Sequence, residues 1–192
     1  MRKGTKQRST KETKITVSLN LDGTGKNAIN TGVGFFDHML ELFACHGKFD
    51  LEVKCEGDIK VDAHHSVEDI GIVMGKLFYD LLGDKKGIER YATVYVPMDE
   101  SLARSVVDIS GRPFLSYNAA LKGKIGEFDA ELVEEFFRAF CTYGLITAHI
   151  DVIRGNNLHH MAEAAFKSFA RALRAAVAVT GTEIPSSKGT LE

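Results

Sequence analysis

Apolar positions along the chain follow two periods. From Ile15 to Leu21, and again from Phe49 to Cys55, apolar and polar residues alternate, the period of a strand with one buried face. Ala92 to Val96 and Ser105 to Ile109 are predicted as further strands, as is Leu145 to Ile153. Elsewhere the spacing is helical. Val67, Ile70, Met74, Leu77, Phe78 and Leu81 form one stripe, and Ala162, Ala165, Phe169, Ala172, Leu173 and Ala176 another, each the apolar face of an amphipathic helix. Two shorter helical segments, Asp37 to Phe43 and Glu134 to Phe140, run up to Gly47 and Gly144, which are predicted as their stops.

These segments repeat. His64-His65-Ser66-Val67-Glu68 reappears as His159-His160-Met161-Ala162-Glu163, and the helical stripe that follows sits at the same offset in both places. Upstream the two short helices also align, so that His38 lies opposite Glu135. Internal self-similarity of this length signals a duplicated structural unit. Each half then reads as strands, helix, strand, helix, a sheet with helices on one face. That predicts an α+β fold of two half-repeats, about 1–86 and 87–192, related by a pseudo-twofold and packed as one domain over residues 1–192. The divide falls in the polar run Gly83-Asp84-Lys85-Lys86-Gly87. Gly23-Thr24-Gly25 and Gly32-Val33-Gly34 lack a following dinucleotide-binding pattern and read as turns.

Composition narrows the function classes. With 192 residues, 44% of them hydrophobic and 26% charged, the chain can build its own core without disulfides or a structural metal. A net charge of −2 implies neither a nucleic-acid partner nor an acidic membrane. The one basic run, Arg2, Lys3, Lys6, Arg8, Lys11 and Lys14, reads as a solvated terminal arm. Cys45, Cys55 and Cys141 are too scattered for a disulfide framework or a thiolate zinc site. No apolar stretch approaches the roughly 18 residues of a membrane span, and no apolar signal core opens the chain. The expected setting is reducing and cytoplasmic.

Five of the seven histidines lie in the repeated regions: His38, His64, His65, His159 and His160. A His-His-x-x-Glu run opening a helix places its three side chains along one edge, because residues three and four apart are neighbours. Imidazole plus carboxylate without thiolate suits manganese, iron, zinc or nickel, and the His-Glu-x-x-His run of zinc proteases is absent. A single such motif reads equally well as capping or satisfied polar residues. Two copies in register favour ligands. Adjacent helical residues diverge by about 100°, so one helix does not readily send both histidines to one ion. Two metals, each drawing one histidine from each pair, would use the doubling, with ligands meeting across an interface within or between subunits. His46 reads as favouring a helix dipole and His149 as structural. Arg90, Arg112, Ser186, Ser187 and Lys188 stand at turns, where cationic groups and free backbone N–H groups suit phosphate; taken alone, Arg90, Arg112 and Lys188 read equally as ordinary surface charges. The phosphate-loop, nucleophile-elbow and Asp-x-Asp-x-Thr signatures are absent.

Taken in order, Arg8-x-Thr10-Lys11-Glu12-Thr13, Gly34-Phe35-Phe36-Asp37-His38-Met39-Leu40, Asp62-Ala63-His64-His65-Ser66-Val67-Glu68-Asp69, Pro97-Met98-Asp99-Glu100, Ser110-Gly111-Arg112-Pro113, His159-His160-x-x-Glu163 and Pro185-Ser186-Ser187-Lys188-Gly189 resemble the imidazoleglycerol-phosphate dehydratase family over nearly the whole chain. The resemblance implies a duplicated ribosomal-protein-S5 domain-2-like unit. It implies two manganese ions per active site, one held by His38, His65, Glu68 and His160, the other by His64, Glu135, His159 and Glu163. It places Glu12 at the substrate, as a proton-transfer group, and Arg90, Arg112, Ser186, Ser187 and Lys188 at its phosphate. The implied reaction dehydrates imidazoleglycerol phosphate to imidazoleacetol phosphate in histidine biosynthesis. The substrate's ring, as a metal-bound imidazolate, would serve as the electron sink. Relatives assemble through trimers into a homo-oligomeric shell of twenty-four subunits, with active sites at subunit interfaces. A dinuclear metal phosphohydrolase and a non-catalytic shell assembled by metal are the competing readings.

Overall fold

The structure, a computed structural model, describes residues 2–191. The first half runs β1 (Lys3–Ser9), β2 (Thr13–Asn20), β3 (Asn27–Asn30), α1 (Gly34–Gly47), β4 (Asp50–Gly57) and α2 (His64–Leu82). The second runs β5 (Tyr91–Met98), β6 (Ser101–Asp108), β7 (Phe114–Asn118), a small hairpin of β8 (Lys124–Ile125) and β9 (Phe128–Asp129), then α3 (Leu132–Gly144), β10 (Thr147–Arg154) and α4 (Leu158–Ala176). The two four-stranded sheets have the same topology, β1-β2-β4-β3 and β5-β6-β10-β7. In each, the last strand of the half pairs antiparallel with the second and parallel with the third. The fold is the expected α+β duplication, and among the described strands and helices the β8–β9 hairpin alone lacks a counterpart. Among the described residues no helix is long and apolar enough to cross a membrane.

The alternation read from the sequence sets which side of each sheet faces inward. Ile15, Val17 and Leu19 of β2 lie opposite Cys55, Val53 and Leu51 of β4, and all six are buried. Each long helix covers the first two strands of its own half, α2 on β1 and β2 and α4 on β5 and β6. Across the pseudo-twofold, α2 packs on α3 and α1 on α4. The helices therefore lie between the sheets, and each half's short helix is paired with the other half's long one. Phe36, Phe43, Phe136, Phe137, Phe140, Phe166 and Phe169 are fully buried there. The rings of Phe137 and Phe166 are 4.7 Å apart. Burial of each such side chain stabilises the fold by about 1.5–3 kcal/mol.

Two glycines allow α2 and α3 to approach closely. A Cβ on Gly71 would lie 2.8 Å from the Ala139 Cβ, and one on Gly75 only 2.5 Å from the Phe140 carbonyl oxygen. Later residues of α2 meet later residues of α3, so the helices run parallel and their first turns lie side by side. Likewise Gly47 of α1 approaches Ala170 of α4, while His38 near the start of α1 meets His159 at the start of α4.

Several local expectations need correction. The basic run is no free arm: Lys3 to Ser9 form β1, held because Lys6 pairs with Asp80 at 2.5 Å and Arg8 with Asp69 at 2.9 Å, both on α2. Gly47 and Gly144 close their helices, but the left-handed cap residues are the next ones, Lys48 and Leu145. Gly47 is needed for space instead, since a Cβ there would lie 2.6 Å from the Phe49 ring. The strand expected from Leu145 begins at Thr147, after that cap.

Candidate metal centre

Both histidine pairs are set at helix starts by the same device. The Asp62 carboxylate accepts from the His64 backbone N–H at 2.8 Å, and the Asn157 side-chain oxygen accepts from those of His159 at 2.9 Å and His160 at 3.2 Å. An Asx side chain satisfying the free N–H groups of a first helical turn fixes where the helix begins. The rings of His64 and His65 are then 6.3 Å apart at 83°, and those of His159 and His160 6.2 Å apart at 82°. The two pairs thus hold their rings in the same mutual arrangement, edge to face, in both copies.

The second-half cluster is the more compact. His38, carried by α1, brings its Nε2 to 3.5 Å from Glu163 Oε2, and His159 Nε2 lies 3.2 Å from the same oxygen. One ligand atom from each of these three residues falls within 4.8 Å of the others, the one such trio found among the described residues. The Glu163 side chain is 8% exposed. Burial pushes its carboxyl up, but the Lys167 ammonium at 2.5 Å and the nearby His38 outweigh this and hold it below its ordinary value. It is a carboxylate, and one oxygen remains turned to the two imidazoles. Two imidazole nitrogens and a carboxylate oxygen converging without thiolate fit manganese, with iron and zinc as close competitors. Phe35 packs edge-on against His159 and walls the cluster.

The first-half cluster is looser. His64 Nε2 is 3.8 Å from Glu68 Oε2, and Glu135 occupies the first turn of α3, beside the first turn of α2. The second histidine of each pair turns to a carboxylate outside the expected ligands. His65 Nδ1 is 3.0 Å from Asp58 and its Nε2 3.8 Å from Glu12. His160 Nδ1 is 2.8 Å from Glu100 and its Nε2 3.8 Å from Asp99. Asp58 raises the His65 imidazole above its ordinary value and Glu100 does the same for His160. In return His160, with the backbone N–H groups of Asn157 and Asn156, holds the Glu100 carboxyl well below the usual carboxylate range. The His38–His159–Glu163 trio mixes members of the two ligand sets implied by the resemblance. Neither full set comes together in one chain among the described residues.

Glu12 owes its position to the motif around it. Thr10 Oγ1 accepts from the backbone N–H groups of Glu12 and Thr13 at 3.1 and 3.0 Å, closing the β1–β2 turn. Buried Asp69 receives Arg8 at 2.9 Å and Thr13 at 2.5 Å, clamping that turn onto α2. Arg90, Arg112, Ser186, Ser187 and Lys188 line one cavity of about 380 Å³. Arg90 is already occupied, donating to Asp108 at 2.8 Å and to the Pro185 carbonyl at 2.9 Å, and so fastens the C-terminal loop. Arg112 is 62% exposed, with Asp108 no nearer than 3.9 Å. In the Ser-Ser-Lys loop, the N–H groups of Lys188 and Gly189 turn back to Ser186 rather than standing free. His46 is held below its ordinary value by burial, then by Lys167 and Arg171. Those effects disfavour the charged form that a helix dipole would stabilise. His149 lies exposed on its strand against Phe114.

Comparison with known proteins gives one consistent result. The family model described as imidazoleglycerol-phosphate dehydratase matches residues 31–173. A protein of that name from Exiguobacterium sp. is 58% identical over 194 residues, covering 100% of both chains. One from Methylobacillus flagellatus is 55% identical over 195 residues, covering 100% of this chain and 98% of the other. Among solved structures, the imidazoleglycerol-phosphate dehydratase of Staphylococcus aureus superposes with a TM-score of 0.84 at 51% identity, covering 92% of this chain and 98% of that one. The Pyrococcus furiosus protein, solved in complex with (S)-C348, superposes at 0.83 and 34% identity, covering 97% and 100%.

Proposed function

The chain belongs to the imidazoleglycerol-phosphate dehydratase family and is a hydro-lyase of histidine biosynthesis, and from that premise we propose how its residues carry out the reaction. The substrate is imidazoleglycerol phosphate and the product imidazoleacetol phosphate. Two manganese ions would be held in each active site, one by His38, His65, Glu68 and His160, the other by His64, Glu135, His159 and Glu163. Bound there, they would supply the Lewis acidity that lets the substrate's ring act as an electron sink for loss of hydroxide.

The observation that carries this reading is the division of the ligands. Within one chain they form two groups: His38, His159, His160 and Glu163 where α1 meets α4, and His64, His65, Glu68 and Glu135 where α2 meets α3. Each proposed metal takes two ligands from each group. A second copy, docked head to tail so that its first-half group faces the first copy's second-half group, completes both sets at once. Such heterologous contacts close into rings, which suits the trimer-based shell of twenty-four subunits. The small phosphorylated substrate is then bound between copies of this chain.

The remaining residues bind and move protons. Arg112, Ser186, Ser187 and Lys188 hold the phosphate at one end of the glycerol arm, and Arg90 shapes that cavity by fastening its loop. Fixing the phosphate and the ring together positions the arm between them for elimination. Glu12, at 3.8 Å from His65, stands beside the proposed metal ligands and transfers a proton near the departing hydroxyl.

Turnover by metal-stripped protein, with and without added manganese, tests this. Ketone formed only with manganese is the expected result. Release of inorganic phosphate instead would indicate a phosphohydrolase, and a metal-loaded assembly without turnover would indicate a shell held together by metal.

A further inference from the structure

The carboxylates behind the second histidine of each pair lie outside the proposed ligand sets, and both contact the same ring atom. Asp58 brings both oxygens to the Nδ1 of His65, at 3.0 and 3.2 Å. Glu100 brings Oε2 to the Nδ1 of His160, at 2.8 Å. The two come from unrelated places: Asp58 follows β4, whereas Glu100 stands in the turn between β5 and β6. The duplication therefore did not copy one carboxylate; each half supplies its own from a different loop. Glu100 is itself fixed. Its Oε1 accepts from the backbone N–H groups of Asn156 at 3.1 Å and Asn157 at 2.9 Å and from the Ser101 hydroxyl at 3.0 Å, leaving Oε2 for the histidine. The first histidines of the pairs lack this backing. Among the described residues their only close carboxylates are Glu68 and Glu163, and these approach Nε2.

We propose that Asp58 and Glu100 are positioning residues that fix the ring orientation and tautomer of His65 and His160, and thereby make the metal bound by His38, His65, Glu68 and His160 the tighter of the two. A proton held on Nδ1 by a carboxylate leaves the Nε2 lone pair as the donor, on the ring edge that lies 3.8 Å from Glu12 in His65 and 3.8 Å from Asp99 in His160. The same hydrogen bond makes the imidazole a stronger ligand. In the ligand sets of the proposed function, on which this inference rests, both backed histidines serve one ion and neither serves the other. The two sites therefore differ in affinity although the motif that builds them is duplicated.

Manganese binding to the assembled, metal-stripped protein in the absence of substrate tests this, by calorimetry or equilibrium dialysis, for the wild type, Asp58→Asn and Glu100→Gln. Both substitutions keep an acceptor oxygen and remove the charge, so folding is checked only by an unchanged thermal transition. The wild type is expected to show two binding classes of equal number. Each variant should weaken the tighter class by roughly ten- to a hundredfold and leave the weaker one unchanged. A single class in the wild type, or variants that spare both classes or weaken them equally, would overturn the proposal. Wild-type turnover is scored separately. Two classes that respond as expected in a protein forming no ketone would sink the dehydratase mechanism and leave the positioning roles standing.

Discussion

At the scale of single residues, function here depends on short polar devices that place one side chain each. Glu12 is the clearest, held by Thr10 within its turn and, through Arg8 and Thr13, by buried Asp69. Glu12→Gln preserves that shape and removes the carboxylate we propose as the proton-transfer group. Its turnover should fall by about 10²- to 10⁴-fold with little change in the Michaelis constant, and full turnover would remove the assigned role. Asp50 shows the same economy away from the site. It accepts from the backbone N–H groups of Thr24 at 2.8 Å and Lys26 at 3.1 Å and from Asn20 at 3.1 Å. The Thr24 bond, with the others, outweighs burial and lowers its carboxyl below 3.8. A depressed folded value means the carboxylate stabilises fully above the unfolded value and loses that contribution as pH falls through the folded one. Asp50→Ala should therefore cost about 1 kcal/mol near neutrality, and the deficit should shrink below about pH 4. Thermal melts across that range check it, and a deficit independent of pH would contradict it. The candidate ligands of the two His-His-x-x-Glu runs were legible in the sequence because each run is contiguous and the second repeats the first. Asp58 and Glu100 were not, because loops bring them to their histidines and no periodicity marks such a contact.

At the scale of elements, what could be read followed from where burial is apolar. β2 and β4 show alternation because their inward residues are Ile15, Val17, Leu19, Leu51, Val53 and Cys55. β1 escaped because Lys6 and Arg8, on its inward side, are satisfied by ion pairs with α2 rather than by burial among apolar side chains. β3 is four residues long, too short to display a period. The helices were legible throughout, but their partners were not, since amphipathicity marks a buried face without saying what covers it. Gly71 and Gly75 decide that question by allowing α3 to lie on α2, which sets Glu135 beside the first turn of α2. In Gly75→Ala the new methyl meets the Phe140 carbonyl at 2.5 Å and the Gly144 nitrogen at 2.9 Å. Overpacking of this kind costs about 1–3 kcal/mol, a fall of roughly 2–4 °C per kcal/mol in a chain of this size. A variant melting with the wild type would show that the two helices are not in close contact.

At the scale of the whole molecule, duplication gives two related groups of candidate metal ligands and keeps them apart. The sequence already pointed to ligands meeting across an interface, because adjacent helical histidines diverge; it could not say whether that interface lies within or between chains. The structure provides the geometry behind the answer we propose, with one group at each pair of helix starts and neither ligand set complete. The most direct test is complementation between two inactive proteins. His64→Ala damages the first-half group, and His159→Ala the second. If sites form between copies, co-expressed mixed assemblies contain interfaces where an intact first-half group meets an intact second-half group, about one in four for random mixing around closed rings. Dehydration of imidazoleglycerol phosphate should then return to about a quarter of the wild-type rate per site, although each variant alone is inactive. Mixed assemblies as inactive as their parents would show that every ligand of a site comes from one chain, and would contradict the account.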